Sequence, residues 1–314
     1  MKQERRFLVG ALAVVALAGA LVLIVAGSQG ALAQSGGIIY VDVDAAGVNN
    51  GASWRHAFTD LQDALDDAGP EDQIWVAAGT YKPTRQFIDG DPRSAAFQMV
   101  DGVAIYGGFE PSAGITRFED RDWMNHVTIL SGNIGDEDNP DDNSYHVFYH
   151  PEDLALDGSA ILDGFTITAG NADELDYPGG VCGGGVYNEG STPTLTNVTF
   201  VGNSAADGGA MYVSRTPDTM TRPLTITNCI FSGNVAERGG AAFFAVEGDV
   251  PPGSITDTVS IRLTNVAFTS NSAVGDGGAI FFSLPLGAGR PLTLTNVTFV
   301  NNSAVGDGGA VYIS

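Results

Sequence analysis

Cysteine, lysine and histidine are all scarce in this chain of 314 residues, which has two cysteines, two lysines (Lys2 and Lys82) and four histidines. Two cysteines cannot supply a disulfide framework or a set of zinc ligands. Nor do they suggest a single bridge: Cys229 stands in an apolar column with Val198, Val266 and Val297, whereas Cys182 takes the place of Asp207 beside a glycine pair. Basic residues are few as well, with 14 Lys and Arg against 37 Asp and Glu, a net charge of −23. Removing residues 1–33 takes away Lys2, Arg5 and Arg6 against Glu4, a loss of +2 that leaves −25. Such acidity excludes nucleic acid and an anionic membrane face as partners, and it suits a soluble extracellular surface open to cations. Disorder is excluded too, because 44% of the residues are hydrophobic and 42 are glycine, the composition of a glycine-cornered solenoid.

Long apolar runs are absent except for one. Basic "MKQERR" precedes an apolar stretch from Phe7 to Gly27, and Ala31-Leu32-Ala33 before Gln34 has the small-x-small form of a cleavage site. Residues 1–33 therefore read as a signal peptide, with an uncleaved N-terminal anchor as the alternative, since the run is long enough to span a bilayer. The expected location is secreted or cell-surface, including the outer membrane.

Helical spacing of apolar residues is missing from the most repetitive part of the chain, and a fixed period takes its place. "NVTFVNNSAVGDGGAVY" (296–312) has three earlier versions, which align Phe200, Phe231, Phe268 and Phe299 at steps of 31, 37 and 31 residues. Asn197, Asn228, Asn265 and Asn296 stand three residues before each Phe, and Asn203, Asn234, Asn271 and Asn302 three residues after it. Glycine pairs at 208/209, 239/240, 277/278 and 308/309 follow, then an aromatic column of Tyr212, Phe243, Phe281 and Tyr312 that "CGGGVYN" extends back to Tyr187.

"LTNVTF" is rich in β-branched residues, which excludes helical repeats. Strict strand alternation from an inward Leu195 would turn Val198 and Phe200 outward. A left-handed bend at Asn197 resets the alternation and lets all three face inward. Each such Asn is thus expected to be a corner whose amide bonds to the same Asn one coil away, about 4.8 Å distant, while the Phe column stacks in the core. Glycine pairs make a second corner, either for positive φ or because a Cβ would clash. The fold class predicted is all-β, a right-handed parallel β-helix. Residues 34–100 would form an N-terminal cap and first coil, and 101–314 the solenoid, regular over 195–314.

The pairing of "FVGN", "FSGN", "FTSN" and "FVNN" with "GGAM", "GGAA", "GGAI" and "GGAV" resembles the repeat of chlamydial polymorphic outer membrane proteins and other pectin-lyase-like bacterial surface proteins. Residues 40–84 resemble the cap that opens many secreted right-handed β-helices. Within it, Ser53 reads as the N-cap of a helix carrying Trp54, Phe58, Leu61, Ala64 and Leu65, ended by Gly69-Pro70. Such a helix would cover the open end of the stack. "IWVAAGTY", "VAIYGGF", "VTILSGN" and "ILDGFTI" read as earlier, less regular rungs. The chain stops at Ser314 inside a rung, which suggests a truncated product whose C-terminal barrel or anchor lies beyond it.

Candidate chemistry is sparse. Asp207, Arg238, Asp276 and Asp307 share a column before the glycine pairs, and a carboxylate–guanidinium–carboxylate stack could hold a uronate or Ca²⁺; as a plain surface ladder each pair is worth under about 1 kcal/mol. The extra residue Gly275 could push Asp276 out of line. "GDEDNPDDNS" offers Asp136, Asp138, Asp141 and Asp142 as calcium ligands, but Pro140 falls on the third ligand position of the calcium-loop pattern and the sixth position lacks glycine. His146 and His150 in "YHVFYH" are expected on one face of a strand. Length variation falls after the aromatic column, in "SRTPDTMTRP", "AVEGDVPPGSITDTV" and "SLPLGAGRP", so these insertions should emerge on one side as a binding face or as tolerated loops. The family resemblance implies either a surface scaffold for adhesion to an extracellular glycan or protein, without catalysis, or an enzyme: a glycoside hydrolase or a pectate-lyase-like polysaccharide lyase, the lyase chemistry using carboxylate-bound Ca²⁺ and a basic side chain, usually arginine, to take the proton. Paired Asp, His-Gly and Arg-x-Lys elements of polygalacturonases are missing from the repeats.

Overall fold

Asn197, Asn228, Asn265 and Asn296 adopt φ values of +54°, +54°, +55° and +52°. Each bend divides an apolar segment into two strands without turning its apolar residues outward, and Leu195, Val198 and Phe200 are all buried. The computed structural model describes residues 36–174, 180–216, 222–247, 261–284 and 292–314. The leader read over 1–33 and most of the three insertions lie outside these residues.

Among the described residues four all-parallel walls wind about one axis. The first wall orders eight strands from Ile38–Val41 through Gln73–Ala77, Ala104–Phe109, Ile161–Asp163, Thr194–Thr196, Leu224–Thr227 and Ile261–Thr264 to Leu292–Thr295. Across the Asn corner the second wall runs from Gly79–Tyr81 to Thr298–Val300 in seven strands. A short third wall of five two-residue strands ends at Ser303–Ala304, and a fourth of six runs from Phe148–His150 to Val311–Ile313. Parallel strand–crossover–strand connections are right-handed in nearly all proteins. The fold is thus a right-handed parallel β-helix.

Phe200 and Phe231 stack at 4.5 Å between centroids and 7°, Phe231 and Phe268 at 4.8 Å and 12°, Phe268 and Phe299 at 5.1 Å and 9°. Register continues this column upward through Ile167, Leu130 and Tyr81. Asn203, Asn234 and Asn271 are also fully buried, just beyond the Phe column. Each donates its Nδ2 to the Oδ1 of the next, Asn203 to Asn234 at 3.1 Å, Asn234 to Asn271 at 3.0 Å and Asn271 to Asn302 at 2.8 Å. The same Nδ2 groups also bond the carbonyls of Ile167, Phe200 and Phe231, which the bend would otherwise strand inside. At the glycine corner the two residues have different duties: Gly208 needs its φ of +65°, while a Cβ on Gly209 would lie 2.5 Å from the carbonyl oxygens of Gly240 and Val235.

The N-terminal cap differs from the single helix expected. Ser53 makes no capping bond and precedes only a 3-10 turn, Trp54–His56; the α-helix is Leu61–Asp67, capped by Asp60, whose carboxylate accepts the Gln62 N–H at 2.8 Å. Phe58 is the cause, because it bridges to Val41 and bonds Tyr40, so sheet pairing overrides helical spacing between the two pieces. Leu61, Ala64 and Leu65 still bury against the end of the core.

Candidate ligand-binding face

Strand alternation in the fourth wall sends Met211 and Val213 inward and Tyr212 outward, and parallel register repeats that choice on every rung. An outward aromatic column results. Tyr149 and Tyr187 lie 5.5 Å apart, Tyr187 and Tyr212 5.6 Å, Tyr212 and Phe243 5.5 Å, Phe243 and Phe281 4.8 Å, Phe281 and Tyr312 5.1 Å. Tyr149 was not in the column read from sequence; its signal is the match of "FYH" to "VYN", visible only once the register is known. Because the rings cover one another's faces, they present edges and hydroxyls outward. Tyr187 donates to Glu189 at 2.9 Å and Tyr212 to Glu247 at 3.2 Å. Burial, followed by the Glu189 carboxylate, pushes the Tyr187 phenol upward.

The candidate column lies beside these rings. Backbone N–H groups of Gly183, Gly208, Gly239 and Gly277 donate to the carbonyls of Asp207, Arg238, Asp276 and Asp307 in turn, so all four residues stay in register along the axis. Their side chains divide. Arg238 forks onto Asp207 with Nε–Oδ1 at 2.8 Å and Nη2–Oδ2 at 2.7 Å, and its guanidinium carbon sits 5.0 Å above the Phe243 ring and 5.4 Å from that of Phe281. Asp276 turns away instead, its Oδ1 accepting the Asp307 N–H at 2.6 Å, and among the described residues it forms no ion pair with Arg238. The extra residue is present twice, since Gly306 stands in the last coil where Gly275 stands before it, and a Cβ at Gly306 would fall 2.2 Å from Asp276 Oδ1. The carboxylate–guanidinium–carboxylate stack is therefore one forked pair and one separate acid.

Asp207 is mostly covered and Arg238 half exposed, with side-chain exposures of 14% and 49%. Desolvation pushes the Asp207 carboxyl above its ordinary value, with the Arg238 bonds opposing it, while the same bonds raise Arg238. Cys182 pairs with Asp207 one rung earlier, and burial pushes its thiol up to about 12. Both cysteines are free, and Cys229 is buried in the Val column.

The two histidines do not share a face. His146 lies before the strand and stacks 5.8 Å from Tyr149 and 5.4 Å from Tyr187 on the outward column, whereas His150 points into the core and meets Asn188 Oδ1 at 3.2 Å. Of the acidic run, Asp136, Asp138 and Asp141 are exposed, while Asp142 is folded back so that its Oδ2 accepts the Asp136 N–H at 2.9 Å.

With the rungs defined, the matches to known proteins fall on particular residues. The Chlamydia polymorphic membrane protein repeat matches 265–283 and 296–314, two rungs that each run from a corner Asn to the outward aromatic wall. This is a parallel β-helix with polymorphic-membrane-protein-like repeats. Among solved structures, that of pectate lyase Pel9A is similar, at 12% identity and a TM-score of 0.33, over 83% of this chain and 78% of that one. No curated protein sequence gives a significant match.

Proposed function

We propose that this β-helix is a surface-displayed scaffold that binds an extended, uncharged glycan along the outward aromatic wall. The observation that carries this reading is the Arg238–Asp207 fork held over Phe243 and Phe281, with the phenols and carboxylates of the neighbouring rungs in line with it. Forked acid–base pairs and fixed hydroxyls are suited to vicinal diols, and their repetition along one axis suits a chain ligand rather than a compact one. A polyanionic chain suits the face less: the Arg238 fork is already occupied by Asp207, and the net charge is −23. Display at the cell surface or outer membrane is supported by the repeat's match to polymorphic membrane proteins and by the leader read over 1–33.

A lyase would need a neutral guanidine to take a proton, and in the candidate column two short bonds to Asp207 hold that group in its charged, protonated form. The test is to incubate the protein with neutral and acidic polysaccharides plus Ca²⁺, following both retention on immobilised glycan and unsaturated uronide absorbance. Binding to neutral chains without absorbance is expected; uronide production would replace the scaffold by a lyase.

A further inference from the structure

Residues 132–144 leave the second wall after Thr128–Ser131 and return before Phe148–His150, and the Ser144 N–H closes them onto the Gly132 carbonyl at 2.7 Å. That closure sets Asn143 and Ser144 opposite Gly132 and Asn133. Asp142 comes to the same neck, because its carboxylate seats against Gly135, where a Cβ would lie only 2.4 to 2.7 Å from its atoms. Arg93 fixes the far side, donating Nε to the Asn143 carbonyl at 2.8 Å and Nη2 to Asn171 at 2.9 Å and Asp173 at 2.6 Å.

Four side-chain oxygens in this neck are buried and receive no hydrogen bond: Asn133 Oδ1, Asp142 Oδ1, Asn143 Oδ1 and Ser144 Oγ. Asn143 is 6% exposed and Ser144 0%, so these groups are withdrawn from the solvent in which Asp136, Asp138 and Asp141 stand. Asn133 is oriented by its own bond, since its Nδ2 donates to the Glu137 carbonyl at 3.2 Å and leaves the oxygen free. Native proteins satisfy nearly all buried polar groups, and several buried oxygens left without a hydrogen-bond partner are the surroundings of a hard cation.

We propose that the neck of this loop is a calcium site whose ligands are Asn133, Asp142, Asn143 and Ser144, with the three exposed acids acting only as an outer field that attracts the ion. One carboxylate among neutral oxygens corresponds to weak binding of the extracellular kind, with Kd about 10⁻⁴ to 10⁻³ M, and Mg²⁺, which sheds its waters reluctantly, should bind less well. A bound ion would lock the insertion to the wall next to Arg93, at the start of the aromatic column. Glycan binding on the later rungs is a separate matter, and neither proposal depends on the other.

The test is calorimetric titration of the full chain, stripped of divalent ions by chelator and dialysed into about 0.15 M NaCl to screen diffuse attraction to the acidic surface. One Ca²⁺ per chain is expected, weakened about tenfold or more by Asp142→Asn and little changed by Asp138→Asn. Asn133→Asp adds a second ligand charge at a less buried position and should tighten binding severalfold, which keeps the site testable if Asp142→Asn does not fold. The proposal is overturned by no saturable binding up to about 10 mM Ca²⁺, tenfold beyond the expected range. It is equally overturned if Asp138→Asn and Asp142→Asn lose the same affinity, because that is diffuse counterion binding.

Discussion

Asn197 donates its Nδ2 to Asp163 Oδ1 at 2.7 Å, so the outer asparagine ladder ends on a carboxylate. Below Asn197 the ladder passes to Asn228 at 3.3 Å, Asn265 at 3.0 Å and Asn296 at 2.8 Å. Asp163 Oδ2 meets Arg121 at 2.6 Å, and this nearly buried guanidinium lies 5.0, 4.7 and 5.0 Å from the rings of Tyr106, Phe118 and Trp123. A chain of amide dipoles thus terminates in an ion pair that joins the regular rungs to the irregular ones.

Replacing Asp163 by Ala should therefore cost about 3 to 5 kcal/mol, because it leaves Arg121 buried without a counter-charge as well as uncapping the ladder. Asp163→Asn keeps an acceptor for Asn197 and should cost less. Urea midpoints of the two variants decide; equal, small shifts would show that Arg121 is satisfied by its aromatic neighbours alone.

Phe268 is fully buried between two parallel rings, and Phe268→Ala should cost about 3 to 5 kcal/mol by opening a core cavity. Phe299 is only partly buried, so Phe299→Ala should cost clearly less. A loss under about 1 kcal/mol at 268 would contradict the stacked core.

The two asparagine columns should respond differently. Asn265→Leu loses the ladder and strains a φ of +55°, so it should destabilise more than Thr264→Leu on the neighbouring outward position. Asn271→Ala should be worse still, since it strips partners from the Asn234 N–H and Nδ2 and from the Phe231 carbonyl, all in the core. Thermal melts that rank Thr264→Leu as the most harmful would remove the corner assignment.

What was legible in the sequence followed from repetition. Corner Asn residues and core Phe residues recur at one offset, so their environment could be inferred without knowing the path of the chain. The column of Asn203 was equally visible, yet its duty was not, because that duty is to carbonyls of the preceding coil. Asp163 was illegible for a related reason: there the bend is made by Gly164 at φ +86°, so no Asn marks the corner and the ladder ends on a different residue type. In the candidate column the backbone register was readable, whereas the turn of Asp276 toward Asp307 depends on the bulges at Gly275 and Gly306. His146 and His150 were placed together by assuming a straight strand, but the strand begins only at Phe148.

Acid should unmask His150. Full burial lowers its pKa from 6.5 to about 4, with the Asn188 bond opposing. A depressed histidine binds its proton in the unfolded chain first, so its contribution is intact above about pH 6.5 and is lost as pH falls toward 4. Across that window wild type should lose on the order of 3 kcal/mol more than His150→Gln, which does not titrate. Parallel stability–pH curves for the two proteins would show that His150 protonates in place.

The sign of one substitution separates a diol-binding face from an anion-binding one. Arg238 is half exposed and its fork is held by Asp207, so a neutral glycan would use the pair together, one partner donating and the other accepting. Both Arg238→Gln and Asp207→Asn should then weaken binding about tenfold or more, and added salt should matter little because no net charge is exchanged. A uronate would instead compete with Asp207 for the same guanidinium. In that case Asp207→Asn frees the fork and tightens binding, while Arg238→Gln abolishes it and salt weakens it. Asp276→Asn is the control in either case, because its carboxylate serves the Asp307 N–H and not Arg238. Titrating immobilised neutral and uronate oligomers with the three variants gives the answer. Tightening by Asp207→Asn on uronate oligomers, with no binding of neutral chains, would overturn the neutral-glycan reading.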